Sequence, residues 1–496
     1  MMIAEELTPP VSERLRKPGE PLEYMRHGAD PTGAYPDNLA LSGEWRMYAG
    51  EMEIPVCSVP VTHGGPHSFC QILLEQGTAA LNIKVCSLRE VFRARIHTLN
   101  GDFPFQLQGN EIRGTVTGPG YLTVEINDRI YAPLTIIIRS PVDCEKYGIG
   151  KRCGDGESAA KEQRIRIYKA GIHEVESVEL KDNETLYLEP GAVLRAVQPA
   201  EDEMPETEKD WAGIPNYADF IRADNRSNIK IIGYGIIDLS GLSWHARRTI
   251  RLTGCENVVL DGPVLIGAAH WTTALFRCEN VKVRNLVMLG YRQNSDGIDL
   301  VNCRNVHVDG CYIRTGDDAI CIKSMEAPPV CGGEKILVEN CTVWDDKVRG
   351  IGIAGESKSD ICDVIFRDCL VLHGLADWAY EMGALCITLC DSGTVSDILF
   401  ENIRILQESA CAINCMLYRD RWSTDTRAGH IRDIRFRNIR IPENTPIRIW
   451  GYDEGHEVEN IYLEQIDNGG EPLWIDQNPY VKNVIVSGNE ASGKEV

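Results

Sequence analysis

No run of about 18 consecutive apolar residues occurs in this 496-residue sequence, so no membrane-spanning helix is expected. Basic residues are scarce as well: 51 Lys and Arg stand against 73 Asp and Glu, a net charge of −22. That balance argues against a nucleic-acid partner, which selects basic stripes, and weakly against a strongly anionic polymer. The opening stretch, MMIAEELTPPVSERLRKPGE, lacks the basic and then apolar regions of a signal peptide. The expectation is a soluble, cytoplasmic chain that needs no membrane. Its 18 cysteines include no CxxC pair, and the two CxxxC spacings, Cys386/Cys390 and Cys411/Cys415, lie in apolar stretches. No metal and no cofactor are expected, and the cysteines read as reduced, buried small hydrophobes. Helical periodicity of useful length is nearly missing too, which excludes crossover α/β units.

What the sequence has instead is a repeat. NIKIIGYGII at 228, NVVLDGPVLI at 257, NVKVRNLVML at 280 and NVHVDGCYIR at 305 are variants of one phrase. KILVENCTVW at 335, DVIFRDCLVL at 363, DILFENIRIL at 397, DIRFRNIRIP at 433, NIYLEQID at 460 and NVIVSG at 483 continue it. Each unit alternates apolar and polar residues and then breaks at Gly, Asn or Asp, the pattern of a short strand with one buried face. Strands that short bury an apolar face only by stacking coil on coil, which predicts a right-handed parallel β-helix. NETLYLEPGAVL at 183 fits the same pattern, and acidic Glu201–Trp211 reads as an inserted loop. Cys255, Cys278 and Cys303 share one phase of the repeat and Cys341 and Cys369 another, as inward ladders of small residues would. Before about residue 150 the strands read as antiparallel and joined by Gly, Pro and Asp turns, so the expected division is a β-sandwich over 1–150 and a β-helix over 151–496.

Acids at solenoid corners usually serve turns. Asn294-Ser295-Asp296-Gly297-Ile298-Asp299 followed by Thr315-Gly316-Asp317-Asp318 is different. Asp296 precedes Asp317 by 21 positions and Asp318 by 22, close to one coil. Equivalent residues of adjacent coils lie about 4.8 Å apart, so three carboxylates would crowd one patch. Crowding raises the pKa of at least one of them. A protonated and an ionised carboxyl side by side are what glycoside hydrolysis requires, although calcium binding suits such a cluster too.

These motifs carry a resemblance. NSDGID, the spaced GDDAICIKS and the NV-x-V repeats resemble the polygalacturonase family, glycoside hydrolase family 28, and its clan relative, the dextranase family, over residues 160–490. The resemblance implies inverting hydrolysis of an oligosaccharide, with Asp317 as general acid and Asp296 and Asp318 positioning and deprotonating a water. Two departures stand out. The family's Gly-His-Gly meets Gly350-Ile351-Gly352, without the histidine, and its Arg-Ile-Lys meets the apolar Gly383–Thr388. The missing carboxylate clamp favours a neutral sugar over a galacturonide. Further candidate substrate contacts are Asn294, His270, Trp271, Arg292, Lys323, Arg349 and Glu356, with Trp378, Tyr380 and Glu381 in a loop that could wall the cleft. Exo action is expected, with inserted loops blocking one end. A polygalacturonase acting on pectin fragments, a calcium-dependent β-helix lyase and a non-catalytic glycan-binding solenoid are the competing functions.

Overall fold

In a computed structural model the described residues are 3–7, 40–74, 80–147, 149, 164–197, 208–209, 215–375, 379–407, 409–420 and 422–488. They form a parallel β-helix with an N-terminal β-sandwich laid against it. A typical coil runs through three strands, such as Glu256–Asp261, Val264–Ile266 and Thr273–Phe276. The first two strands of each coil join one 21-stranded sheet and the third joins an 11-stranded sheet. Glu184–Leu188 and Ala192–Ala196 form an early coil, as NETLYLEPGAVL predicted. Ile3–Leu7 pairs in parallel with Arg164–Tyr168, so these first residues extend the solenoid rather than the sandwich. Most of Glu201–Trp211 lies outside the described residues; Glu208–Lys209 pairs antiparallel with Pro215–Asn216.

The repeated phrase has a backbone cause. Asn228, Asn257, Asn280, Asn305, Lys335, Asp363, Asp397, Asp433, Asn460 and Asn483, each at the head of a repeat or one residue into it, all have φ between 52° and 59°. That left-handed corner is costly for most L-residues and least so for Asn and Asp. The side chains then stack along the solenoid: Asn228 Nδ2 donates to Asn183 Oδ1 at 2.8 Å, and Asn483 Nδ2 to Asn460 Oδ1 at 3.0 Å. Inside, one continuous apolar core runs from Tyr168 to Ile466 and includes the stacked rings of Phe366, Phe400 and Phe436. Cys255, Cys278 and Cys303 sit in it, each Sγ against a carbonyl of the preceding coil, at Ala223, Leu252 and Leu275. Sixteen of the cysteines among the described residues are free.

The sandwich packs a five-stranded sheet on a seven-stranded one around Trp45, Met47, Val85, Val124 and Ile136. Its pairings are antiparallel except one. Leu134–Arg139 runs parallel to Ser68–Leu73, a departure from the expected all-antiparallel pattern. A second apolar cluster joins the domains, with Cys57, Val59, Phe69 and Ile137 packed on solenoid residues such as Val264, Leu289, Tyr312 and Trp344. Residues 148 and 150–163, where the domain boundary was expected, lie outside the described residues.

Candidate active site

The 11-stranded sheet builds the site. Its register pairs Thr273 with Ile298, Ile298 with Ile320 and Ile320 with Ile351. Two residues back, that register aligns Trp271, Asp296, Asp318 and Arg349 in one outward column. Asp317 sits one residue off it, in the turn before Ile320–Ser324. Its Oδ2 accepts the Asn294 N–H and its Oδ1 the Asp318 N–H, both at 3.0 Å. One oxygen from each of Asp296, Asp317 and Asp318 lies within 4.8 Å of the others.

A buried lysine sits at the centre of these acids. Lys323 Nζ is 2.9 Å from Asp296 Oδ2, 2.9 Å from Asp299 Oδ1 and 3.4 Å from Asp318 Oδ2, and 4.4 Å from the centre of the Trp271 ring. Arg349 Nη1 reaches both oxygens of Asp318, at 3.1 and 3.3 Å. Its Nε donates to the Glu381 carbonyl and its Nη2 to the Tyr418 hydroxyl. Burial pushes the carboxyls up, and their mutual repulsion adds to it. Asp317 is raised to about 6 by burial and the neighbouring Asp318 charge, and Asp299 to about 7 by burial. Asp296 rises for the same reasons, against the pull of Lys323. Asp318 goes the other way: burial raises it, but the Arg349 and Lys323 charges prevail and hold it below the usual carboxylate range. One cluster thus holds a proton beside an ionised carboxylate.

These groups line a pocket of about 120 Å³, bounded by Trp271, Gln293, Asn294, Lys347, Glu356, Glu381, Tyr418 and Trp422 besides the acids and their cations. A water takes about 30 Å³ in the liquid, so that is room for about four waters, on the scale of one sugar ring. Of the expected site residues, Asp296, Asp317, Asp318, Asn294, Trp271, Lys323, Arg349 and Glu356 meet here. Two do not. Arg292 turns away and donates to the carbonyls of Gly267 and Ala268 in the previous coil and of Ser240 and Leu242 in the coil before it. His270 is buried against His245, with ring centres 4.4 Å apart, and its Nδ1 accepts the Trp271 N–H. Trp378 lies outside the described residues; Glu381 lines the pocket.

The structure also corrects where the family's motif positions fall. Ile351 points into the solenoid core, so Gly350-Ile351-Gly352 could not offer a histidine to the cleft. The cleft-facing residue of that stretch is Arg349, which makes Val348-Arg349-Gly350 the local counterpart. Leu385 and Ile387 likewise point inward and form no wall of the pocket. Asp299, Tyr418 and Trp422 were missed. Asp299 had a readable signal, since it closes the NSDGID motif three residues after Asp296. Tyr418 and Trp422 had none, because they arrive from a coil more than 90 residues away in sequence.

The fold and its column of buried acids define a β-helical carbohydrate-active site. The model of the family described as Glycosyl hydrolases family 28 matches residues 200–485, more than half of the chain, and the protein belongs to that family. It is 24% identical over 254 residues to an exopolygalacturonase of Zea mays, covering 47% of this chain and 58% of the relative. It is 22% identical over 317 residues to a polygalacturonase of Persea americana, covering 58% and 64%. The chain therefore spans about three fifths of these curated relatives. Among solved structures, Dex49A from Penicillium minioluteum superposes with a TM-score of 0.59 at 10% identity, over 93% of this chain and 96% of that one. The polygalacturonase of Erwinia carotovora gives 0.53 at 18% identity, over 65% and 89%. At such identities these likenesses concern the fold.

Proposed function

We propose that the protein is an inverting glycoside hydrolase that removes a terminal residue from an oligosaccharide. The observation that carries the reading is the pairing of Asp317, raised to about 6, with Asp318, held low, in one small pocket. In the proposed mechanism Asp317 donates its proton to the leaving glycosidic oxygen. Asp318, kept ionised by Arg349 and Lys323, takes the proton of the water that attacks the anomeric carbon, and Asp296 Oδ1, buried and without a hydrogen-bond partner, accepts a hydrogen bond from that water. The oxygens stand closer than the about 6.5–9.5 Å usual between inverting carboxyls. Inversion is favoured nonetheless, because Asp318 has both oxygens on Arg349 and Asp296 has one on Lys323, which blunts either as a nucleophile. The single-ring scale of the pocket supports exo action.

For the substrate, a neutral glycoside is preferred to a galacturonide in this reading. Lys323 and Arg349 already neutralise aspartates, and Glu356 and Glu381 add further negative charge around the pocket. A uronate would enter against that field. The free thiols support residence in a reducing, cytoplasmic compartment. Proton NMR during hydrolysis of a panel of neutral and uronic oligosaccharides tests the whole. Release of the inverted anomer from a chain end of a neutral glycoside is expected. Retention of configuration removes the mechanism, and faster turnover of galacturonides removes the substrate preference.

A further inference from the structure

We propose that the Thr62–His67 segment of the N-terminal domain is a positioning element that braces, from outside the solenoid, the chain segments carrying the site's carboxylates and Arg349. This rests on the hydrolase reading above. Thr62 Oγ1 donates to the Tyr291 carbonyl at 3.1 Å, five residues before Asp296. His67 Nδ1 faces Arg314 Nη1 at 3.0 Å, and the His63 carbonyl accepts from Arg314 Nη2. Arg314 lies three residues before Asp317. Its remaining edge grips Asp346 through Nε and Nη2, at 2.9 and 3.1 Å, and Asp346 lies three residues before Arg349. One short segment of the sandwich thereby reaches all three stretches of the site.

The chemistry of these contacts permits little slack. A guanidinium only donates, so His67 Nδ1 must accept and its Nε2–H must donate to Thr135 Oγ1, 2.8 Å away. His67 is therefore a neutral ring in one tautomer, tying Arg314 to a strand of the sandwich. Arg314 and Asp346 are fully buried, and the guanidinium lies 3.7 Å from the centre of the Trp344 ring. The first two braced stretches also touch: a Cβ on Gly316 would lie 2.3 Å from the Arg292 carbonyl oxygen and 2.6 Å from that of Tyr291. A shift at Tyr291 is passed to the turn holding Asp317. Docking alone does not require contacts at these points, since the apolar cluster and the bonds from Arg404 to the Thr98 and Leu99 carbonyls also join the domains.

Thr62→Val and His67→Phe remove the brace, Thr62→Ser keeps its hydroxyl, and Arg404→Met weakens docking away from the site. With the oligosaccharide that wild type turns over, the first two should each lower kcat by roughly tenfold or more with KM within about twofold, as misplaced catalytic groups do. Thr62→Ser should restore kcat, and Arg404→Met should lower the melting temperature without changing kcat. Carbon-13 NMR of labelled aspartate carboxyls, with Asp317→Asn identifying the Asp317 signal, should show its midpoint displaced from about 6 in Thr62→Val and His67→Phe. Unchanged kcat and midpoint in variants that melt lower would overturn the proposal and leave a merely structural contact. Should His67→Phe not fold, Thr62→Val decides alone. If wild type hydrolyses no glycoside, the hydrolase reading is lost and the carboxyl titration still decides the brace.

Discussion

Lys323→Met is the sharpest perturbation of the cluster. The ammonium lies within 2.9 Å of two carboxylates and 3.4 Å of a third, all buried. Removing one partner of a buried ion pair costs about 3–5 kcal/mol, because the other charge is left uncompensated. Here three carboxylates lose their shared cation, and the only relief open to them is to take up protons. Lys323 lowers the pKa of these three, Asp296, Asp299 and Asp318, and of Asp317, so all four rise in the variant, Asp318 least because Arg349 remains on it. A carboxyl raised in the folded state favours folding below its unfolded value, and that advantage is lost as pH rises through the folded one. Native Asp317 near 6 and Asp299 near 7 already place this loss between about pH 4 and 7. In the variant the loss deepens and extends upward. The stability gap between wild type and Lys323→Met should therefore be small near pH 4.5 and approach about 3–5 kcal/mol near pH 8. Urea unfolding at several pH values measures it. A gap that stays constant with pH would mean that Lys323 acts through packing, and the electrostatic account would fail.

Further outcomes concern the acids, the arginine, the corners and the thiols. Asp317→Asn should lose about 10²–10⁴-fold in turnover, because the amide cannot donate the proton, and should melt slightly lower, because the amide offers one acceptor to the two N–H groups the carboxyl serves; near-normal turnover removes Asp317 as the acid. The pH profile of kcat/KM should fall above about 6, where Asp317 loses its proton, and at the acid side only below the ordinary carboxylate range, where Asp318 gains one. In Arg349→Met the acid limb should move upward, since the charge that holds Asp318 low is gone, and an unmoved limb assigns it to another group. Asn280→Ala at φ 58° should destabilise by about 1–2 kcal/mol, with Asn280→Gly less affected, in denaturant melts. Alkylation of unfolded, unreduced protein should modify the 16 cysteines described as free, and mass spectrometry showing native bridges among them would contradict the ladder packing and the reducing compartment.

The sequence by itself determined the solenoid, because each coil repeats the same local demands. An Asn or Asp must take the left-handed corner, and alternating apolar residues must face inward, so Asn228, Asn257, Asn280 and their successors mark the coils one by one. It determined the acid trio for the same reason: residues about one coil apart become neighbours. What it left open was which way a side chain points and what reaches it from elsewhere. Ile351 and Arg349 are two residues apart, a spacing that strand alternation would put on one face, yet one is core and the other holds Asp318, because Arg349 is the first residue of its strand, just after the bend at 346–348. Arg292 adjoins the motif but is captured by four carbonyls of the two preceding coils. Lys323 becomes the hub of the cluster only when the coils stack, and Tyr418, Trp422 and the Thr62–His67 segment arrive from remote chain. Periodicity and corner geometry are local, and one sequence displays them. The electrostatics of the site depend on contacts a few ångströms long between distant residues, and only the tertiary structure decides those.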